Sequence, residues 1–363
     1  MDLFKPEIAG RRAWNEIEDR TYLRLHQNES SALFPSARWN DFVDWLRTRT
    51  NLERALVEYP DVQSPGLTSV FARLVGAGEG EILLTAGSTA GIELIAHSVN
   101  ASRIALPNPT FFAYERFFAS RGARVVKFDL DESGRYLERE LQRQDVLDCE
   151  VVALCSPNNP TGAGLSEDAI ARFLESYKGL LILDEAFLDY ASEPSFASRV
   201  GQYENLIVLR TLSKAWGLAS LRVGFLVANQ KWIDYLARAR MPFTVTALSQ
   251  AIAEFTLRSC EAEMRASTER TVRDREWLED RLRSVPGTRV FKSHGNFVFF
   301  SIGDARRIAG ELKRNRILVQ VFELPRVGAC LRVSVSAGRE ALERLVTQIA
   351  KAAPPIGQAP PPK

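Results

Sequence analysis

One lysine in this sequence lies among hydroxyl groups and apolar residues, a setting that favours amine chemistry. Lys214 follows the apolar run Leu206–Leu209 in the segment VLRTLSKAWGLASLRVGF. Desolvation among apolar residues favours the neutral amine, which is the nucleophilic form of lysine. Thr211, Ser213 and Arg222 supply donors for a phosphate group, to which arginine binds in a two-pronged manner. The alternative interpretation is an ordinary solvent-exposed lysine.

A carboxylate and an amide follow two other apolar runs. In LLILDEAFLDY the run ends at Asp184, and a carboxylate beside buried surface needs a partner or a function. A protonated pyridine nitrogen suits Asp184, because the negative charge raises the pKa of the nitrogen and keeps the ring an electron sink. A helix cap or a salt bridge is the alternative. In SPNNPTG, flanking prolines make a rigid turn that presents the amide of Asn159, or serves only as a turn.

A third segment, TAGSTAGIELIAHS, leads from a strand through small residues into a helix. Gly87, Ser88 and Thr89 lie at the predicted helix start, where exposed N–H groups and the helix dipole favour an anion. Ser88 or Thr89 could instead be a plain N-cap. The nearby GAGEG at Gly76–Gly80 does not lead from a strand into a helix, so we interpret it as a loop and not as a dinucleotide motif.

Short apolar runs alternate with amphipathic stretches, which is typical of a parallel α/β sheet. Predicted helices include Ala90–Val99 and Glu167–Tyr177. The predicted strands are Ile82–Thr85, Arg103–Leu106, Arg124–Phe128, Val151–Cys155, Leu180–Leu183, Leu206–Leu209 and Gly224–Val227. Runs that are apolar throughout indicate strands covered on both faces. Ligands bind at the carboxyl ends of such strands, where the polar segments above fall.

The C-terminal third has a different pattern. Residues 248–284 are strongly helical and charged, as expected for the solvated face of one or two long helices. Strand-like pieces follow at Asn296–Ser301, Ile317–Val321 and Leu331–Val335, and a last helix ends near Lys351. We predict an N-terminal arm at 1–40, a large cofactor-binding domain at 41–250, a small α+β domain at 251–352 and a disordered Pro-rich tail at 353–363.

Composition excludes several classes of function. The 363 residues carry 47 Lys+Arg against 45 Asp+Glu, so no global field recruits nucleic acid or membrane. No stretch has the roughly 18 apolar residues of a membrane span, and the first residues have no apolar signal core. Cysteines 149, 155, 260 and 330 show no metal-ligand spacing and fit reduced thiols. We therefore expect a cytoplasmic protein without a metal.

Taken in order, the motifs GST, PTFFAY, SPNNPTG, DEAF and TLSKAWGLASLRVGF resemble those of the class I/II aminotransferases of pyridoxal 5'-phosphate (PLP) fold type I. The closest likeness is to the histidinol-phosphate aminotransferase subgroup. HQNES near Asn28, YPD at Tyr59–Asp61, NFVF after Asn296 and CLRVSV around Arg332 extend the resemblance from about residue 22 to 350. It implies a large domain with a mostly parallel central sheet flanked by helices, and a small α+β C-terminal domain.

The resemblance also implies roles for the polar residues around the cofactor. Lys214 would hold PLP as a Schiff base and, once released, carry a proton between the substrate and the cofactor. Asp184 would pair with the pyridine nitrogen, Asn159 would donate to the phenolic oxygen, and Phe111 would stack on the ring. Phe187 would also be a cofactor-binding residue. The phosphate would be held at the residues Gly87, Ser88, Thr89, Thr211, Ser213 and Arg222.

Substrate contacts and assembly follow from the same resemblance. Arg332 would grip the α-carboxylate of an amino acid, with Asn28 and Gln320 nearby as further substrate-binding residues. Tyr59 would reach the phosphate of the neighbouring subunit, which implies a homodimer with shared sites.

Three departures from the family pattern bear on the substrate. Phe187 stands where the family usually has a tyrosine, so one donor to the phenolic oxygen is missing. Gln320 ends the run ILVQ, where the subgroup generally has an arginine that binds the substrate phosphate, so histidinol phosphate is not the expected substrate. Arg326, six residues on, is a candidate replacement. NESS replaces the usual NENP, which predicts a different entrance loop.

The sequence therefore predicts an aminotransferase that moves an amino group between an L-amino acid and a 2-oxo acid. A PLP-dependent decarboxylase, lyase or cyclase of a modified amino acid stays open, because it would need the same cofactor shell. A regulator built on the fold is a third class, against which the intact Lys214 argues.

Overall fold

The computed structural model describes residue 19 and residues 21–30, 38–49 and 52–353. The strands are β1 Leu23–Arg24, β2 Ile82–Thr85, β3 Arg103–Asn108, β4 Arg124–Asp129, β5 Val151–Cys155, β6 Leu180–Asp184, β7 Leu206–Thr211, β8 Gly224–Ala228, β9 Thr288–Phe291, β10 Phe297–Ile302, β11 Ile317–Leu318, β12 Gln320–Leu324 and β13 Gly328–Ser334.

The α-helices are α1 Trp39–Arg49, α2 Leu52–Val57, α3 Pro65–Val75, α4 Gly87–Ser98, α5 Phe112–Ser120, α6 Glu138–Leu141, α7 Gln144–Leu147, α8 Glu167–Ser176, α9 Gln230–Ala239, α10 Ala247–Ser259, α11 Glu261–Arg283, α12 Ala305–Arg314 and α13 Arg339–Ala352. Short 3₁₀ helices cover Glu79–Glu81, Leu188–Tyr190, Phe196–Gln202 and Ala219–Leu221.

A seven-stranded sheet in the order β2-β8-β7-β6-β5-β3-β4 forms the centre of the fold. All its strands run in one direction except β8, which is antiparallel to both of its neighbours. Every residue of β5, β6 and β7 is buried, because apolar clusters cover both faces of the sheet.

The register of this sheet brings the polar strand ends together. Cys155 pairs with Asp184 across β5 and β6, and Asp184 pairs with Leu209 of β7. Because β8 runs the opposite way, its first residue, Gly224, lies between Thr85 and Thr211 at the same edge. The carboxyl ends of β5, β6 and β7 therefore share one edge with the start of β8.

A second sheet is antiparallel, in the order β12-β13-β10-β9, and has its own apolar core. Residues from α11, α12 and α13 contribute to that core. The short strand β1 pairs in parallel with β11, and Ser334 donates its backbone N–H to the carbonyl of Leu25. These hydrogen bonds hold the segment that follows residue 25 against the end of β13.

The α/β architecture with a mostly parallel central sheet agrees with the sequence prediction. All seven predicted strands of that sheet exist, and five of them extend one or two residues farther at their carboxyl ends. The predicted strand Ile317–Val321 is instead two short strands, because β11 and β12 pair with different partners. The sequence pattern missed β9. The domain limits remain a prediction, and the tail from residue 354 and much of the N-terminal arm lie outside the described residues.

Two details near helix starts differ from simple expectations. Ala86 is the N-cap of α4, so Ser88 and Thr89 lie inside its first turn and do not cap it. Gly76, Ala77 and Gly78 form a loop as predicted, with Gly76 ending α3 in a left-handed conformation, but Glu79 and Gly80 belong to the short 3₁₀ helix before β2. In the described part of the chain, no helix has both the length and the apolar character needed to cross a bilayer.

Candidate active site

Asp184 lies at the end of the central strand β6 and is only 5 % exposed. Its Oδ1 accepts a hydrogen bond from the backbone N–H of Ala186 at 3.0 Å, and its Oδ2 accepts one from the Tyr114 hydroxyl at 2.9 Å. Burial raises the pKa of the carboxyl, while these donors oppose that shift. The site thus holds a buried carboxylate stabilised by donors, and not a helix cap.

Lys214 follows β7 and points its Nζ toward a segment from the N-terminal part of the chain. The Nζ atom donates to the backbone carbonyls of Gln27 at 3.0 Å and Asn28 at 3.2 Å. Burial, followed by the positive charge of Arg332, lowers the pKa of this amine to about 8. Lys214 is therefore not the solvent-exposed lysine of the alternative interpretation, and a sizeable share of it is neutral near pH 7.5.

Arg332 of β13 is buried and gathers three acceptors. Its guanidinium donates to the side chain of Asn159, to the carbonyl of His26 and, at 3.0 Å, to the side-chain oxygen of Gln320. Gln320 is the direct neighbour of Arg332 in the β12–β13 register. Burial lowers the pKa of Arg332 to about 9, so the group remains a cation at neutral pH. Its Nε–H is buried without a hydrogen-bond partner among the described residues.

Asn28 enters the site through its backbone. Its φ of +53° is left-handed, a conformation that asparagine tolerates better than most residues. The Asn28 carbonyl accepts from Lys214 and, at 3.0 Å, from Asn296 Nδ2. Its side-chain oxygen accepts from the hydroxyl of Ser334 at 3.0 Å, so the side chain braces the segment. The three consecutive carbonyls of residues 26 to 28 thus accept hydrogen bonds from the side chains of Arg332 and Lys214.

A second group of donors surrounds the start of α4. Ser213 lies 3.1 Å from the Thr211 hydroxyl and 3.4 Å from Arg222 Nη1. A Cβ added at Gly87, whose φ is +80°, would lie 2.6 Å from Arg222 Nη2. A Cβ at Gly224 would lie 2.6 Å from the backbone nitrogen of Ser88. Glycine at these two positions lets the guanidinium and β8 approach the helix start closely.

Two aromatic residues, Phe187 and Phe111, contact groups of the site. Phe187 is buried, and its ring centroid lies 5.5 Å from Lys214 Nζ. The ring packs edge-on against Phe297. Phe111, the N-cap of α5, lies edge-on to Tyr114 with 6.4 Å between the ring centroids.

Tyr59 is the predicted site residue that lies apart from the rest. It is 82 % exposed and stacks on Phe243, 4.7 Å away. The stacking contact of Tyr59 is therefore with Phe243 and not with the other predicted site residues.

Tyr114, Cys155 and Gly224 contact the site residues although sequence reasoning did not single them out. Tyr114 lies within the quoted motif PTFFAY, and Cys155 ends the strand before SPNNPTG, so position beside motif residues was the available signal. Their importance depends on contacts between distant segments. Asn158, in contrast, is fully buried and holds the turn through Pro109, Thr110 and Thr161.

The family model "Aminotransferase class I and II" matches residues 25–349 of this chain. The chain belongs to this family. Class I and II aminotransferases use PLP, and the activity of this enzyme is of the transaminase type.

A histidinol-phosphate aminotransferase from Caldanaerobacter subterraneus subsp. tengcongensis is 31% identical over 342 residues, covering 93% of this chain and 95% of that protein. The structure of histidinol-phosphate aminotransferase from Sinorhizobium meliloti, in complex with pyridoxal-5'-phosphate, superposes with a TM-score of 0.81 at 20% identity over 97% of this chain and 96% of that one. L-threonine-O-3-phosphate decarboxylase from Porphyromonas gingivalis reaches 0.75 at 21% identity over 91% and 98%. The two structures share the fold.

The residues present fit PLP. The helix start, the hydroxyls of Thr211 and Ser213 and the guanidinium of Arg222 make a donor set that suits a phosphate dianion, and Gly87 and Gly224 let these donors lie close together. A buried carboxylate and a lysine of lowered pKa complete the chemistry that the ring and aldehyde of PLP require.

Proposed function

We propose that this enzyme transfers the amino group of an L-amino acid to a 2-oxo acid, with Lys214 as the group that moves the proton. The observation that carries the proposal is the convergence of Lys214, Asp184 and Arg332 at one edge of the sheet. Bound PLP supplies an electron-withdrawing ring that stabilises negative charge at the substrate Cα. The chain then selects the bond that breaks by the way it orients the substrate.

Each polar residue has a proposed part in this reaction. Arg332 binds the α-carboxylate of the substrate, which replaces one of the three acceptors now on its guanidinium. With PLP bound and the amine of Lys214 set free by the substrate, Lys214 would take the proton from the substrate Cα and give it to C4′ of the cofactor. The pKa near 8 suits this exchange, because the amine gains and loses a proton readily near neutral pH.

Four side chains would hold the ring in the proposed arrangement. Asp184 would pair with the pyridine nitrogen, Phe111 would stack on the ring, and Phe187 would also contact the cofactor. Asn159 donates from Nδ2 to the phenolic oxygen, which is consistent with its Oδ1 accepting from Arg332. Since Phe187 has no hydroxyl, Asn159 is the chief donor there. The phosphate contacts are proposed at Gly87, Ser88, Thr89, Thr211, Ser213 and Arg222.

Gln320 disfavours a phosphorylated substrate. A neutral amide in place of a bidentate cation costs on the order of 1.5–3 kcal/mol against a dianion. Here the Gln320 oxygen instead accepts from Arg332, so it orients the carboxylate-binding group. Arg326 does not replace the missing charge. It lies in the turn that joins β12 to β13, five to six strand residues from Gln320, or roughly 15–20 Å away.

The test of function is a half-reaction. The holoenzyme is mixed with single amino acids or amino phosphates, and the absorbance of the bound cofactor is followed while products are identified by mass. Conversion of the cofactor to its amine form, with release of a 2-oxo acid, supports transamination. Carbon dioxide release without an acceptor indicates the decarboxylase class. If no amino acid changes the cofactor, the proposed reaction is wrong.

A homodimer with shared sites is the proposed assembly. Tyr59 and its partner Phe243 belong to a group of exposed apolar side chains, and clusters of this kind mark interaction surfaces. The exposed members are Leu56, Val57, Tyr59, Met241 and Phe243. In the dimer, the Tyr59 hydroxyl would reach the phosphate of the partner's cofactor.

Hybrid dimers test this sharing. Lys214→Ala and Tyr59→Ala chains are unfolded and refolded together. A hybrid contains one site with Lys214 from one chain and Tyr59 from the other, so activity should recover. Recovery absent from verified hybrids contradicts a shared site, and a monomeric mass in light scattering contradicts the dimer.

We also propose a cytoplasmic location, because the four cysteines are buried free thiols, as is usual in a reducing compartment. Detection of the enzyme only in an extracytoplasmic fraction would contradict this proposal.

A further inference from the structure

Tyr114 is a fully buried tyrosine for which the proposed reaction has no use. It lies in the first turn of α5, and its hydroxyl donates to Asp184 Oδ2 at 2.9 Å across 70 residues of sequence. A buried phenol needs a partner, but most such phenols use a backbone carbonyl or water. Tyr114 uses the carboxylate that faces the cofactor ring nitrogen.

The surroundings of Asp184 fix both of its oxygens. Cys155 Sγ lies 3.8 Å from Oδ2, and the Thr110 hydroxyl lies 3.5 Å from this sulfur. Oδ1 is held by the N–H of Ala186. With a donor on each oxygen, the plane of the carboxylate is set by protein groups before any ligand is present.

The hydroxyl also acts on the charge of Asp184. Burial raises the pKa of this carboxyl, and the hydrogen bonds from Ala186 and Tyr114 are the foremost influences that lower it. Burial together with the nearby Asp184 charge raises the pKa of Tyr114 itself, so the phenol keeps its proton and remains a donor. Without this donor the carboxylate becomes more basic and takes the proton of a pyridinium partner more readily.

We propose that Tyr114 is a positioning residue that keeps Asp184 ionised and oriented toward the ring nitrogen of the cofactor. The proposal rests on the role proposed above for Asp184. Cys155 is a weaker second donor to the same oxygen, since a thiol is a poor donor at this distance. The start of α5 would thus contribute two residues to the cofactor site. Phe111 is the proposed stacking group, and Tyr114, three residues later, holds Asp184.

The chain offers a matched control. Tyr136 is half-buried and lies near the same strand end. Its hydroxyl donates to the carbonyl of Cys155 at 2.7 Å. Tyr136→Phe removes a hydroxyl close to the site whose hydrogen bond goes to the Cys155 carbonyl and not to Asp184. Asp184→Asn provides the reference for a ring without its carboxylate.

The experiment compares these three variants with the wild-type enzyme. Each is loaded with PLP labelled with ¹⁵N in the ring, the ¹⁵N shift is recorded, and the PLP dissociation constant is measured by titrating the apoprotein. Loss of one hydrogen bond to a charged group corresponds to roughly a tenfold effect. Tyr114→Phe should therefore move the shift toward that of neutral pyridine and weaken PLP binding about tenfold, while Tyr136→Phe changes binding less than about twofold.

The outcomes separate the two levels of the proposal. If Asp184→Asn moves the shift and Tyr114→Phe behaves like Tyr136→Phe, the role of Tyr114 is wrong and that of Asp184 stands. If Asp184→Asn leaves the shift unchanged, both fail. Should Tyr114→Phe not fold, 3,5-difluorotyrosine placed at position 114 keeps the shape while strengthening the donor, and an unchanged ¹⁵N shift then overturns the proposal.

Discussion

The lowered pKa of Lys214 can be measured directly in the apoprotein. Burial is the largest cause and the positive charge of Arg332 the second, and together they bring the pKa from 10.5 to about 8. At pH 7.5 this leaves roughly a quarter of the amine neutral, against about one part in a thousand for an unshifted lysine. The neutral amine should therefore be on the order of 200 times more abundant than in the unfolded chain.

The assay is the reaction of the apoprotein with an amine-selective reagent at a series of pH values, followed by peptide mapping of Lys214. The labelling rate should rise with a midpoint near pH 8. In Arg332→Met the midpoint should move upward, because a repelling charge is removed, but stay below 10.5 since burial persists. Denatured protein gives the reference curve. A native midpoint near that of the denatured protein, or no shift in Arg332→Met, refutes the electrostatic argument.

Three further predictions concern other parts of the site and its support. Gln320→Arg should raise kcat/KM for histidinol phosphate about tenfold in a steady-state assay, and an unchanged or lower value would contradict the specificity argument. Glu185→Ala removes a carboxylate 3.3 Å from the buried Arg210, which keeps Asp189 at 2.7 Å, and should lower the free energy of unfolding in urea by about 3 kcal/mol. Glu185→Gln removes the charge but keeps the size of the side chain, so it should cost a similar amount; a Gln variant as stable as the wild type would exclude the ion pair as the cause. Gly87→Ala should weaken PLP binding at least tenfold, because φ is +80° and the new Cβ would lie 2.6 Å from the Arg222 guanidinium. Gly122→Ala is the control, since its φ of +91° is similar but its Cβ would meet no atom within 4 Å. Equal PLP binding by both variants would show that the close contact between Gly87 and Arg222 is unimportant.

The central sheet and its chemically active edge could be predicted from the sequence because two local signals coincide there. Buried strands read as unbroken apolar runs, and the polar residues that follow them, such as Asp184 and Asn159, fall at the edge where parallel strands end. The orientation of β8 was not predictable in this way, because an apolar strand looks the same in either direction. Strand β9, in which only Phe291 is buried, gave only a weak pattern.

From the sequence, Lys214 and Asp184 could be proposed as site residues from their types and neighbours, and Arg332 from the family resemblance. The groups that contact and orient these residues became visible only in the folded structure. Tyr114 reaches Asp184 across 70 residues, and Arg332 reaches the carbonyl of His26 across 306. Such contacts depend on strand register and on how separate segments pack. A local pattern supplies the groups, but burial and long-range hydrogen bonds set their charge and direction.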